Sequence, residues 1–126
     1  MASFTKFEDI LAWQKAREVT ILIYRVSGTA DFSMDFGLKD QIRRASVSVM
    51  ANIAEGHGRR TSIEFANFLN LARGSVAKVQ SHLHVARGLS YIEDQSFREL
   101  YDRLTEISKM LLSLARYLRQ SHDPKK

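Results

Sequence analysis

Residues 94–120 read DQSFRELYDRLTEISKMLLSLARYLRQ, and the spacing of the apolar residues in this stretch decides the fold. Steps of three and four alternate without a break, which is the period of one buried face of an α-helix. The apolar positions are Phe97, Leu100, Leu104, Ile107, Leu111, Leu114 and Leu118. Asp94 or Ser96 can cap the start, with Glu99 completing a capping box. The pattern predicts a helix over residues 95–121.

Three further segments show a helical period, over residues 7–27, 36–55 and 62–88. In the first, Thr5 can cap the start and the apolar stripe consists of Phe7, Ile10, Leu11, Val19, Leu22, Ile23 and Val26. Gly28 ends that helix, and Gly56 is expected to end the next one in the left-handed conformation. Thr61 and Glu64 form the capping box of the helix over residues 62–88.

Four helices of similar length joined by short connections favour an antiparallel arrangement of neighbours. Residues 28–35 are predicted to be a loop, and only the short basic tail at residues 122–126 lies outside the helices at the C-terminal end. We therefore predict an all-α fold, an antiparallel up-down-up-down four-helix bundle, in which residues 1–126 form a single domain.

The composition excludes several classes of protein. Of the 126 residues, 44% are hydrophobic and 26% are charged, which is ordinary for a globular domain. The absence of cysteine excludes disulfides, thiolate zinc sites and a cysteine nucleophile. No apolar run approaches the roughly 18 residues that span a bilayer, and the N-terminus lacks a signal-peptide pattern. We expect a cytoplasmic protein that does not enter a membrane.

The helix over residues 36–55 carries two features that a simple bundle helix does not need. Its second apolar face, predicted to be an oligomer interface, consists of Phe36, Val47, Met50 and Ala54. Its polar row, predicted to be a hydrogen-bonded structural seam, consists of Gln41, Arg44, Asn52 and Glu55, with Ser48 between them. The alternative is a wide core stripe beside an ordinary solvated edge.

The positive charge is concentrated in the middle of the chain. The net charge is +5, and residues 36–92 alone carry eight basic and three acidic side chains. Such a one-sign field favours polyanions, although a solvated helix face is the alternative. The predicted nucleic-acid-binding residues are Arg43, Arg44, Arg59, Arg60, Arg73, Lys78 and Arg87.

The loop over residues 56–62 leads into a helix N-terminus, where free N–H groups and two adjacent arginines can bind a phosphate. The alternative is that Arg59 pairs with Glu55 and Arg60 is solvated. Aromatic residues do not alternate with the basic ones in the sequence, so a platform that stacks bases is not predicted.

No catalytic constellation is present. His82 and His84 are two residues apart on a predicted helix, so they point in different directions and cannot share a metal. The Gly56-His57-Gly58 stretch follows a helix and lacks the third glycine of a dinucleotide-binding loop. We predict no catalytic residues, no metal site and no cofactor, and hence a protein that is not an enzyme.

Several blocks occur in order along the chain: Phe7-Glu8-Asp9-Ile10, Trp13-Gln14-Lys15-Ala16, GLKDQIRRAS at residues 37–46, Asn52-Ile53-Ala54-Glu55-Gly56, Gly58-Arg59, Phe68-Leu69 and Ala72-Arg73-Gly74-Ser75. With these blocks the chain resembles the four-helix-bundle proteins encoded in intervening sequences of bacterial 23S ribosomal RNA genes. The resemblance implies a ring-like homopentamer without enzymatic activity. That family is similar in fold to the accessory protein of diversity-generating retroelements, a basic pentamer that binds nucleic acid and a reverse transcriptase.

The chain departs from the family pattern after Gly74-Ser75. The family continues with an acidic stretch, whereas this chain continues with Ala77-Lys78-Val79-Gln80. The helix is therefore more basic than the resemblance implies, which favours a surface that binds polyanions.

Two functions follow as hypotheses. The first is a non-enzymatic, basic homo-oligomer that acts as a scaffold or accessory protein and binds RNA or DNA through phosphate contacts. Its partners would be copies of itself, the nucleic acid and possible nucleic-acid-processing proteins. The alternative is a protein-interaction module that binds a protein partner without nucleic acid. Salt dependence separates them, because phosphate contacts weaken steeply with salt and apolar contacts do not.

Overall fold

The computed structural model describes residues 4–120, and within them the chain forms helices and turns without a β-strand. The elements are a 3-10 turn (Phe7–Asp9) and the helices α1 (Leu11–Ser27), α2 (Ala30–Met34), α3 (Phe36–His57), α4 (Ser62–Gly88) and α5 (Asp94–Gln120). The bounds of α4 are those that the sequence predicts, and its predicted capping box is present. Residue 121 and the tail at residues 122–126 lie outside the described range.

The four long helices form a bundle in which α1 and α4 each pack against both α3 and α5. In every packed pair, residues later in one helix meet residues earlier in the other, so all neighbours are antiparallel. The pairs are Thr20–Ser46 and Ser27–Arg43, Ser48–Ser75 and Gly56–Phe65, Asn67–Arg119 and Gln80–Thr105, and Lys15–Glu106 and Glu18–Arg103. The fold is thus the all-α, antiparallel up-down-up-down four-helix bundle that the sequence predicts.

The core is a single apolar cluster to which all four long helices contribute. Six of the seven positions predicted on α5 are buried, while Leu114 is only partly buried and Ala115 lies in the core in its place. Every buried polar side-chain atom of the described residues has a hydrogen-bond partner. Polar burial therefore leaves no uncompensated cost inside the bundle.

The first predicted helix is wrong over its initial turn. The chain makes a 3-10 turn and then an extended residue, Ile10, before α1 begins. Ile10 is buried, whereas the next residue, Leu11, is 53% exposed and not part of the core stripe. Thr5 bonds the Asp9 carboxylate and caps neither element. The extended residue changes the helical phase, which a continuous 3.6-residue period cannot reproduce.

The loop predicted at residues 28–35 contains the short helix α2. Phe32 on this helix is fully buried and stacks on Tyr91, with ring centroids 5.2 Å apart. The Tyr91 hydroxyl donates to Asp35, and that hydrogen bond raises the pKa of Tyr91. Asp35 also accepts from the backbone N–H of Leu38 and so caps α3. One buried aromatic ring thus converts the connection into an ordered corner.

Gly56 does not end the second predicted helix in a left-handed conformation, because α3 continues to His57 and none of the described glycines has a positive φ. Gly56 is instead buried against α4. A β-carbon at this position would lie 2.7 Å from Cβ of Phe68 and 2.9 Å from Cδ1 of Phe65. Gly56 is therefore required for the close approach of α3 and α4.

Gly56 and Gly74, both inside helices, give substitutions of opposite sign. We expect Gly56→Ala to lower the free energy of unfolding by about 1–3 kcal/mol, because the added methyl overlaps the side chains of Phe65 and Phe68. A β-carbon at Gly74 meets nothing within 4 Å. Gly74→Ala should raise the free energy of unfolding by about 0.5–1 kcal/mol, because alanine is the better helix former. Urea unfolding of both variants measures the difference, and two changes of the same sign would contradict this account.

Candidate nucleic-acid interface

The seven basic residues predicted to bind nucleic acid lie on different parts of the bundle. Their positions are Arg43 against α1, Arg44 and Arg59 beside acids of α3, Arg60 in the connection before α4, Lys78 on the exposed surface of α4, and Arg73 and Arg87 against α5. Of the seven, only Arg73 and Arg87 therefore lie along the line where α4 packs on α5, which we call the α4/α5 groove.

Arg43 is half-buried and held against the end of α1. Its Nε donates to the hydroxyl of Ser27 at 2.8 Å, and its NH2 donates to the carbonyl of Tyr24 at 3.0 Å. The guanidinium also lies 4.4 Å from the centroid of the Tyr24 ring. A cation at the last turn of a helix stabilises the carbonyls that lack helical partners. The contacts of Arg43 thus join α3 to the end of α1.

Arg44 and Arg59 each face a carboxylate four residues earlier in the chain. Arg44 lies 2.8 Å from Asp40, and Arg59 lies 2.8 Å from Glu55. Such exposed pairs contribute little stability, but each carboxylate offsets the charge that a phosphate would meet. The pairing of Arg59 with Glu55 is the predicted alternative to phosphate binding by the loop over residues 56–62.

The α4/α5 groove holds cations whose partners are neutral. Arg73 donates to the Ser108 hydroxyl at 3.4 Å, and Arg87 lies 4.1 Å from the centroid of the Phe97 ring. Neither partner carries a charge, and neither arginine forms an ion pair within residues 4–120. Residues 65–88 of α4 contain no acid. At 1.5 Å per residue, Arg73 and Arg87 are about 21 Å apart along α4, roughly six stacked nucleotides.

Arg119 joins this groove and was not predicted. Its NH2 donates to the side-chain oxygen of Asn67 at 2.9 Å. The two residues are far apart in the chain, and only the antiparallel register of α4 and α5 places them side by side. Once the bundle topology is assumed, the antiparallel register of α4 and α5 predicts that Arg119 lies beside Asn67. The groove then carries three arginines.

Aromatic rings also border the groove, although the sequence shows no alternation of basic and aromatic residues. The rings of His84, Phe97 and Tyr101 lie within 4.9–5.6 Å of one another, beside Arg87. One turn before His84 on α4, Gln80 donates to the Thr105 hydroxyl. Phe97 is buried, so the arginine covers this ring and leaves no free face for a base.

The predicted phosphate site at the start of α4 is already occupied by the chain itself. The Thr61 hydroxyl accepts from the backbone N–H of Glu64, and the Glu64 carboxylate accepts from the backbone N–H of Thr61. A carboxylate at this helix terminus takes the place that an anion would take. Glu64 therefore competes with any anion at this helix terminus, and the anion site in the loop stays a prediction. Arg60 beside it is exposed and forms no ion pair within residues 4–120.

The predicted polar seam is shorter than expected. Asn52 donates to the carbonyl and the hydroxyl of Ser48, and the Ser48 hydroxyl lies 2.9 Å from that of Ser75 on α4. Arg44 and Glu55 bond only within their own segment, and Gln41 is exposed. The seam is thus a local link between α3 and α4, next to Gly56.

The predicted interface residues are accessible to different degrees. Phe36 is 66% exposed and Val47 is 41% exposed, whereas Met50 and Ala54 are partly buried. The side chain of Lys39 lies 5.0 Å from the Phe36 ring centroid. Val47 and Met50 line a surface groove between α1 and α3. The apolar face predicted on α3 therefore exists on the surface of the chain.

Among the residues that the structure describes, no group of three or more His, Cys, Asp or Glu side chains is arranged to hold a metal ion. None of the helices between residues 4 and 120 is both long and apolar enough to cross a bilayer.

Comparison with known proteins shows what the chain is similar to. Residues 8–113 match the family model of the 23S rRNA-intervening sequence protein. One similar solved structure is a Bacteroides thetaiotaomicron protein with unknown function from the S23 ribosomal protein family. It shares 25% identity and a TM-score of 0.76, over 84% of this chain and 99% of that chain. A search of curated proteins finds no match. Neither description names an enzymatic activity.

His82 on α4 gives a test of the local electrostatics. Burial lowers the pKa of His82 below the ordinary value of 6.5, and the neighbouring cation Lys78 lowers it further. Because the folded-state pKa is depressed, His82 opposes folding increasingly as the pH falls through 6.5. In an NMR titration, Lys78→Met should raise the pKa of His82 only in part, since burial is the larger cause. An unchanged pKa in the variant would exclude the influence of Lys78.

Proposed function

This chain belongs to the 23S rRNA-intervening sequence protein family, and we propose that it is a non-enzymatic, basic homo-oligomer that binds RNA or DNA through phosphate contacts. It would act as a scaffold or an accessory subunit. The observation that carries the proposal is the α4/α5 groove, where Arg73, Arg87 and Arg119 all have neutral partners. None of the three forms an ion pair with a carboxylate among the described residues.

The seven predicted residues are not expected to contribute equally to phosphate binding. Arg43 holds the end of α1, and Arg44 and Arg59 face carboxylates, so their contribution to phosphate binding is smaller. Arg60 and Lys78 are exposed and extend the positive surface around α4. Arginine side chains directed at phosphates hold a strand without reading its bases. Binding is therefore expected to be largely independent of sequence.

Association of several copies would strengthen such binding. Each copy adds a groove, so that one strand meets several weak sites at high effective concentration. The exposed apolar residues Phe36 and Val47 support association of the chain with itself. The number five for the oligomer rests on the resemblance to the family alone.

A protein-interaction module is the second candidate, and the same exposed apolar residues favour it. Such surfaces mark contacts with proteins as readily as contacts between copies. In that case the arginines of the α4/α5 groove would have no ligand, and complexes would survive high salt.

The test compares two double variants that remove the same number of arginines. Arg73→Ala with Arg87→Ala should weaken binding to different RNA and DNA sequences by similar factors. The plot of log affinity against log salt should become shallower by about 1.4–1.8, or about 0.7–0.9 for each lost phosphate contact. Filter binding over a range of salt concentrations measures both quantities.

The matched control is Arg44→Ala with Arg59→Ala, which also removes two positive charges but from existing ion pairs. We expect it to change affinity and slope much less. Equal effects of the two variants would show that net charge alone acts and that the groove is not the site. If the assembled wild type retains no nucleic acid at low salt, the protein-interaction module becomes the better hypothesis.

A further inference from the structure

An apolar groove of about 510 Å³ lies on the surface between α1 and α3. Its lining consists of Arg17, Thr20, Ile21, Tyr24, Arg25, Val47 and Met50. The lining is therefore apolar between two cations. This α1/α3 groove is separate from the α4/α5 groove, because α1 and α4 lie on opposite sides of the bundle.

The charge at the α1/α3 groove is positive. Arg17 and Arg25 are both exposed, and neither forms an ion pair within the described range. They are eight residues apart, which is about 12 Å along α1. Arg43, over the Tyr24 ring, adds a third cation at the same end as Arg25. The groove thus fits an apolar segment that carries an acid.

The corner between α2 and α3 has that chemistry. Among the described residues, Met34 and Phe36 are the two most exposed large apolar side chains, at 69% and 66%. Asp31 lies three residues before Met34 on α2 and so on the same side of that helix. Asp31 is exposed and forms no ion pair in the described part of the chain. Lys39 covers one side of the Phe36 ring.

The corner cannot fill the groove of its own chain. Phe36 precedes Val47 by eleven residues of one continuous helix, which separates the two by about 16 Å. An apolar corner with a free carboxylate and an apolar groove with free arginines are therefore present on every copy but remain apart. Their charges are opposite, which favours contact between copies over repulsion.

We propose that the corner of one copy, formed by Asp31, Met34 and Phe36, docks in the α1/α3 groove of a second copy. The inference rests on the homo-oligomer of the proposed function and identifies the contact that builds it. The two surfaces are different, so the contact is head-to-tail. Each copy keeps one free corner or one free groove until the assembly closes, either as a reciprocal pair or as a larger ring.

Two surface variants test the contact, one on each side. Phe36→Ser removes the corner and Val47→Glu places a carboxylate in the groove, and both residues are exposed enough to leave the core intact. Each variant alone should have the mass of a monomer, 14.4 kDa, in light scattering. An equal mixture should give a heterodimer and nothing larger, because it contains one intact corner and one intact groove.

Leu71→Ser is the matched control, since Leu71 is 57% exposed on α4 and outside both surfaces. It should assemble like the wild type. Circular dichroism verifies the fold of each variant. A mixture of the two variants that stays monomeric overturns the contact between corner and groove.

Exchange of charge gives an independent readout. Arg17→Glu with Arg25→Glu should dissociate the oligomer, and addition of Asp31→Lys to the same chain should restore it. Failure of that restoration overturns the pairing of these charges. A monomeric wild type would refute both this contact and the proposed homo-oligomer. An oligomer that neither surface variant affects would refute this contact alone, while filter binding with the α4/α5 variants tests nucleic-acid binding separately.

Discussion

The close approach of α3 and α4 at Gly56 is the constraint on which the rest of the bundle depends. With no side chain there, the backbone of α3 packs directly on the ring of Phe65 and the β-carbon of Phe68. Two turns earlier on α3, the Ser48 and Ser75 hydroxyls fix the same pair of helices in register. Small residues and a short hydrogen bond thus determine both the distance and the alignment of the two helices.

That alignment determines what faces outward on α4. α4 packs against α3 on one side and α5 on the other. Of its basic residues, Arg73 and Arg87 lie beside α5, and Lys78 lies on the exposed surface. Arg73 and Arg87 lie along α5, where a hydroxyl and an aromatic ring hold them without cancelling their charge. On α3, Arg44 instead meets a carboxylate of its own helix and Arg43 meets a carbonyl of α1. The distribution of partners, more than the number of arginines, distinguishes the α4/α5 groove.

Contacts between residues that are distant in sequence, and changes of helical phase, also explain why two segments differ from the structure that their local sequence predicts. Phe32 converts a predicted loop into a helix because Tyr91, far along the chain, stacks on it. Ile10 is itself extended and enters the core. The resulting change of helical phase places Leu11 at the surface. In each case a tertiary contact or a change of phase overrides the local pattern.

The sequence by itself determined the helices, their antiparallel order and the apolar stripe of α5, because a helical period and end signals are local properties that one chain carries along its length. It also located the excess positive charge in residues 36–92. Only the tertiary structure decided which arginines share a surface, that Arg119 joins Arg73 and Arg87, and that the glycine of the Asn52–Gly56 block serves packing instead of helix termination. The physical reason is that the partner of a charge and the space around a glycine depend on helices that are distant in sequence and adjacent in the fold.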